Sequence, residues 1–216
     1  MADKAHAALA LAERGWGVVP CWPGKRTPSN QNGAAAPLTD SGDVLQWWID
    51  RPDDNVAITP PNGAFIVDVD TPKDGGSANL ELAQRELGGF TAKHCVRTPS
   101  GGWHVYLRAD DGDMVPNSVG RVRDSVDIRG HHGYVLAPGS TVPEGEYSGS
   151  LPAAPKDLPA APRSLVQAAR TPNVERHENA EEWQGDADQP QDVQRARRFL
   201  QDEINRERIA DEGGRN

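Results

Sequence analysis

Two carboxylates stand two residues apart at the end of an apolar run, Phe65-Ile-Val-Asp-Val-Asp70. In an extended strand, successive side chains point to opposite faces. Phe65, Val67 and Val69 are therefore expected to enter a core, while Ala64, Ile66, Asp68 and Asp70 share the other face. Adjacent anions repel one another and resist burial, so a fold that gathers them needs a cation. Carboxylate oxygens are hard ligands that suit Mg²⁺ or Mn²⁺. An isolated Asp-x-Asp serves equally well as a solvated strand end running into the Thr71-Pro72 turn. The pair defines a site only if neighbouring strands add to it.

Two further segments carry polar residues on strands otherwise built for a core. In Val126-Asp-Ile-Arg129 the apolar neighbours point inward, so Asp127 and Arg129 share the opposite face. A third carboxylate on the same sheet would complete a ligand set for two ions, which in such sites lie ~3.5–4 Å apart. Alone, Asp127 is a partner for Arg129 or Arg123. His104 follows the turn Ser100-Gly-Gly102. Backbone N–H groups in a glycine-rich turn can wrap an anion, and a histidine just beyond could donate to a phosphate oxygen. By itself His104 is as readily a sheet histidine satisfied by a backbone carbonyl. Lys25, with Arg26, lies in Pro23-Gly-Lys-Arg-Thr-Pro28 and is either a solvated turn residue or a phosphate contact.

The elements that must position these groups can be read from periodicity and punctuation. Residues 3–14 form an alanine-rich helix stopped by Gly15, and a short strand follows over 16–22. Residues 41–50 form a capped helix with Val44, Leu45, Trp48 and Ile49 on one face; its two tryptophans read as core packing, not as a platform for bases. Strands are expected at 55–59, 65–70, 103–108, 125–129 and 133–137, and a helix at 77–87 ended by Gly88-Gly89. Four prolines between 152 and 162 make a stiff strap. A last helix is expected over 191–210, with Val193, Ala196, Leu200 and Ile204 at helical spacing. The division is residues 1–165 as the main domain and 166–216 as a linker and helical tail.

Composition sets outer bounds. At 216 residues the chain can bury a substantial core. No apolar run approaches the ~20 residues of a membrane span. Cys21 and Cys95 are single and far apart, which argues against a disulfide framework or zinc knuckle and for a reducing, cytoplasmic setting. An N-terminus opening with Asp3 and Lys4 and no long apolar segment carries no expectation of a signal peptide. The net charge of −9 divides into −5 over residues 1–165 (15 Lys and Arg against 20 Asp and Glu) and −4 over 166–216 (8 against 12). That balance disfavours tight duplex binding through phosphates but leaves room for a metal-bearing polymerase site, where cations cancel part of it.

In this order the motifs resemble the bifunctional DNA primase/polymerase (prim-pol) domain of the archaeo-eukaryotic primase superfamily. Val67-Asp-Val-Asp70 matches the first motif, Ser100-Gly-Gly-Trp-His-Val-Tyr106 the second, and Val126-Asp-Ile-Arg-Gly130 the third. Similarity extends over roughly residues 5–165, although residues 29–37 lack the histidine that the family often carries there. The resemblance implies an α+β fold, an RRM-like antiparallel catalytic sheet with an N-terminal αβ unit beside it. It also implies template-directed nucleotidyl transfer in phage or plasmid-type replication. Asp68, Asp70 and Asp127 would hold two Mg²⁺ or Mn²⁺ ions, with no zinc. His104 and the turn of Ser100, Gly101 and Gly102 would meet the incoming dNTP or NTP, helped by Arg129 and Lys25. The implied partners are a single-stranded DNA template and primer, with a helicase or other replisome protein reached through the tail. Two competing readings are a metal-dependent phosphohydrolase and a non-catalytic nucleotide- or DNA-binding accessory.

Overall fold

In the computed structural model of the protein, residues 2–72, 76–110 and 112–171 are described. In chain order the elements are α1 (Ala2–Glu13), β1 (Gly17–Cys21), α2 (Ser41–Asp50), β2 (Asn55–Thr59), β3 (Ala64–Val69), α3 (Leu80–Glu86), β4 (Cys95–Arg97), β5 (Trp103–Arg108), β6 (Ser118–Arg123), β7 (Val126–Arg129), β8 (Val135–Leu136), β9 (Thr141–Val142), β10 (Gly145–Glu146), β11 (Ser148–Gly149) and α4 (Arg163–Arg170). The fold is mixed α/β with antiparallel sheets. The helix expected at 191–210 lies outside the described residues.

A six-stranded sheet in the order β11-β4-β5-β3-β7-β6 carries the polar motifs, and β3 lies near its centre. All its pairings are antiparallel. A smaller sheet, β1-β2-β8, is antiparallel as well. Phe65, Val67 and Val69 of β3 pack with Ala83 of α3 and Leu165, Val166 and Ala169 of α4. Each large apolar side chain fully buried there contributes roughly 1.5–3 kcal/mol. The opposite face is covered too. Ala64 and Ile66 pack with Tyr106 and Val96 against Leu11, Trp16, Val18, Trp48 and Ile58 of the N-terminal αβ unit. The strand was expected to have one buried and one polar face; instead both are sealed at its start, and only its end opens toward Asp68 and Asp70.

Several expectations are corrected locally. α2 is capped by the Asp40 carboxylate, which accepts from the N–H of Gly42 and Asp43 at 2.8 and 3.1 Å. It buries Val44 and Trp48, while Leu45 and Ile49, expected on the same face, are exposed. They lie one residue, about 100°, around the helix from the buried pair. The helix expected from 77 starts at Leu80, because the Asn79 side chain accepts from Leu82 N–H at 2.8 Å and fixes the start there. The strand expected over 133–137 is cut to two residues by a turn, with Gly133 N–H donating to Gly130 C=O at 2.8 Å and His132 at φ +60°. The boundary expected at 165/166 falls inside α4, whose Leu165, Val166 and Ala169 are buried.

Candidate active site

Register alone assembles the polar cluster. Asp68 on β3 stands opposite His104 on β5 and, across the other edge, opposite Asp127 on β7. Residues directly opposite in antiparallel strands share a face, so these three side chains project together. Asp70 follows two residues later, its N–H held by the Ser125 carbonyl at 2.8 Å. Carboxylate oxygens of Asp68, Asp70 and Asp127 lie within 4.8 Å of one another. Asp68 and Asp127 are buried, at 7 % and 8 % exposure, and Asp70 is exposed. Asp127 Oδ1 also accepts from Gly120 N–H at 2.8 Å. Gly120 sits at φ +58°, where a Cβ is disfavoured, in a strand whose register shifts between Ser118 and Arg123.

One cation serves two of the three acids. Arg129 donates from Nε to Asp68 Oδ2 at 3.1 Å and from Nη2 to Asp127 Oδ2 at 2.7 Å. Burial raises the Asp68 pKa; Arg129 counteracts this and Asp127 adds to it. Asp70 is pushed up to about 6 by partial burial and then by the charges of Asp68 and Asp127. A carboxyl whose folded pKa exceeds its unfolded value of 3.8 destabilises the fold when ionised. For Asp70 the penalty is absent below pH 3.8, grows as pH rises to about 6, and is complete above it. Asp70→Asn should therefore raise the melting temperature in EDTA at pH 7.5 and leave it unchanged near pH 3.5. Water screens this exposed group, so the gain is about 1 kcal/mol, or about 3 °C. Divalent cations should close the gap by stabilising the wild type more. Scanning calorimetry at both pH values checks this, and a lower melting temperature for the variant at pH 7.5 would contradict the repulsion.

His104 is buried at 5 % exposure, and its ring stacks on Tyr147 with centroids 5.6 Å apart. Burial, with Arg129 and Arg26 adding to it, pushes its pKa down to about 3, so the imidazole is neutral at physiological pH. Its Nε2 lies 3.5 Å from Asp68 Oδ1, too long for a good hydrogen bond, and its buried Nδ1 has no partner among the described residues. A neutral imidazole offers one donor and one acceptor; here Nε2 faces Asp68 and Nδ1 is shut away from solvent. Arg26 Nε donates to the Tyr147 hydroxyl at 2.9 Å. A cavity of about 460 Å³ is lined by Arg26, Asp68, Asp70, His104, Arg129 and Tyr147, among others.

The turn at 98–102 is built differently from a simple anion nest. Gly101 N–H donates to the Thr98 carbonyl at 2.9 Å and Gly102 N–H to Thr98 Oγ1 at 2.8 Å, so both donors are spent inside the turn. Ser100, bonded through its hydroxyl to Thr98 Oγ1 at 3.0 Å, lines the cavity together with Thr98. Gly102 is needed for close approach, since a Cβ there would lie 2.6 Å from the Val69 carbonyl oxygen. Lys25 is exposed, with its carbonyl accepting from Asn55 Nδ2 at 3.0 Å, and it is not among the cavity-lining residues. Its neighbour Arg26 is. Sequence reasoning also missed Tyr147 and His132, which line the same cavity. Only the run Gly130-His-His-Gly133, with its glycine-flanked turn, hinted at the latter.

The donor set fits a hard divalent cation. Three carboxylates lie together and one guanidinium, paired with Asp68 and Asp127, is bonded among them, so two formal negative charges are left uncompensated when all three are ionised. Oxygen-only donors of this kind suit Mg²⁺ or Mn²⁺. Fold and site together define a mixed α/β protein with a carboxylate centre at the open end of an antiparallel sheet. The profile of the family described as bifunctional DNA primase/polymerase, N-terminal, matches residues 8–163, and the chain belongs to that family. This is the family that the three motifs indicated. Among curated proteins no relative matches the chain. Primase and polymerase activity is the general property of the family. No helix among the described residues is long and apolar enough to cross a membrane.

Proposed function

We propose that the chain is a DNA-dependent nucleotidyltransferase that adds nucleotides to a primer on a single-stranded template. The observation that carries this reading is the register that sets Asp68 between His104 and Asp127, beside a cationic and aromatic cavity. Asp68, Asp70 and Asp127 would hold two Mg²⁺ or Mn²⁺ ions, which supply charge neutralisation at the phosphates and a more acidic attacking hydroxyl. The protein's own groups position the triphosphate. Neutral His104 would offer Nε2, on the Asp68 side of its ring, to a phosphate oxygen; Ser100 and Arg26 line the same cavity, and Arg129 supplies a bidentate fork. The primer 3′-oxygen forms the new bond to the α-phosphorus, the α–β bridging bond breaks, pyrophosphate leaves, and the hydroxyl proton passes to water. Positioning and charge neutralisation, more than a protein base, account for the rate. The strand order β4-β5-β3-β7, with α3 and α4 on one face, supports the RRM-like description of the catalytic sheet.

The test is incorporation of labelled dNTP with Mn²⁺ on primed and unprimed single-stranded templates. Extension of the primer is the expected result. Release of phosphate without incorporation would favour a phosphohydrolase, and nucleotide or DNA binding without turnover an accessory role. In the same assay His104→Ala should raise the nucleotide KM by about tenfold, the value of one lost hydrogen bond to a charged group. Cation affinity should stay within about twofold. An unchanged KM would return His104 to a packing role against Tyr147.

A further inference from the structure

A protein cation already occupies carboxylate oxygens that a divalent ion would need. Arg129 Nε and Nη2 both lie 3.1 Å from Asp68 Oδ2, and Nη2 lies 2.7 Å from Asp127 Oδ2. One guanidinium thereby joins β3 and β7. The backbone dictates this: Arg129 stands opposite Ile66, two residues before Asp68, and two residues after Asp127 on its own strand. Its long side chain therefore lies along the sheet face between the two acids. It is not sealed there. Its side chain is 26 % exposed and lines the same cavity as His104 and Arg26.

We propose that Arg129 is an internal counter-ion that competes with the divalent cation for Asp68 and Asp127, and that cation loading releases it toward the phosphates of the nucleotide. This rests on the nucleotidyl-transfer reading of the site. Two cations that need the same carboxylate oxygens in a poorly solvated cluster repel one another, so each weakens the other's hold. Guanidinium–carboxylate bonds are among the stronger hydrogen bonds in proteins, and breaking them lowers the apparent affinity for the ion. Once freed, the planar fork matches a phosphate as well as it matched the carboxylates. Linkage makes the effect reciprocal: a phosphate that holds Arg129 away from the acids raises cation affinity, and the cation raises phosphate affinity by the same factor. The cluster is thus kept partly neutralised when empty and fills when nucleotide and cation arrive together.

The experiment uses the full chain and Mn²⁺ alone, with free ion measured by electron paramagnetic resonance. Without nucleotide, Arg129→Met should bind Mn²⁺ at least about tenfold more tightly than wild type, within the usual span of site-to-site coupling. It should also melt lower in EDTA and recover with Mn²⁺. Arg129→Lys keeps the charge but cannot bridge both acids, and should fall between the two. In wild type, the Arg129 Nε–H resonance should be protected from exchange in EDTA and lose that protection as Mg²⁺ is titrated; this decides the matter if Arg129→Met fails to fold. Equal or weaker Mn²⁺ binding in both variants, or an Nε–H signal unmoved at saturating Mg²⁺, would overturn the competition. With either result, a wild type that still extends primers leaves the nucleotidyl-transfer reading intact. A wild type that neither binds Mn²⁺ nor extends primers overturns that reading and this inference with it.

Discussion

Asp68→Asn should reduce primer extension at least about a thousandfold while leaving the fold intact. Asparagine matches the shape of aspartate and can still accept from Arg129, so the substitution removes charge with little change in packing. Burial already disfavours the ionised form of Asp68, which means that loss of the charge carries little penalty in the metal-free protein. The effect falls on chemistry instead. Asp68 is the only acid of the cluster with a cluster partner directly opposite on both sides, His104 and Asp127. Without its charge, two carboxylates remain, and one of them is bonded to Arg129. Charge stabilisation at a phosphoryl centre is worth several kcal/mol, and losses of 10²–10³ are common when only one donor is removed from such a site. Single-turnover extension with Mn²⁺ measures the rate, and thermal denaturation in EDTA controls for folding. Retention of more than a tenth of the wild-type rate would place the centre elsewhere.

The acids were legible because strand periodicity converts sequence into faces. Asp68, Asp70, Asp127 and His104 each interrupt or end an apolar strand, and alternation alone brings Asp127 and Arg129 to the same side. What alternation cannot reveal is which residues on different strands stand opposite one another. The pairing of Asp68 with both His104 and Asp127 depends on non-local register, as does the bridging role of Arg129. Turns hide more. Lys25 and Arg26 are adjacent in a loop with no period, and the choice between them is made by Tyr147, 121 residues away, whose hydroxyl accepts from Arg26. β6 escaped notice because Gly120 and a register shift break its alternation. The second buried face of β3 escaped for a different reason. Ala64 and Ile66 precede the acids on the polar side, and their apolar character shows only when the N-terminal αβ unit is seen to cover them.

A chain ending at Thr171 should fold and extend primers at a rate within about threefold of the full chain, whereas one ending at Ala161 should lose its cooperative melting transition. The difference is α4. Its Leu165 and Ala169 are 2 % and 0 % exposed, and Val166 7 %, all in the core that also holds Phe65, Val67 and Val69 of β3. Arg121 Nη1 donates to the Ala169 carbonyl at 3.1 Å, and Arg170 reaches back to the carbonyls of Met114 and Asp113 at 3.0 Å each. The helix therefore supports the inner face of the strand that carries Asp68. At about 25 cal/mol per Å² its apolar burial amounts to roughly 5 kcal/mol, comparable with the entire stability of many domains. The strap before it cannot substitute. It adds backbone bonds at the end of β5, Arg108 N–H to Pro159 C=O and Ala161 N–H to Arg108 C=O, but leaves the core beneath α4 open. Residues 172–216 are expected to take no direct part in chemistry. Far-UV circular dichroism and calorimetry test folding of both truncations, and incorporation on a pre-annealed primer tests activity. If the chain ending at Thr171 melts sharply yet incorporates nothing, residues 172–216 belong to the catalytic machinery and the boundary lies further along the chain.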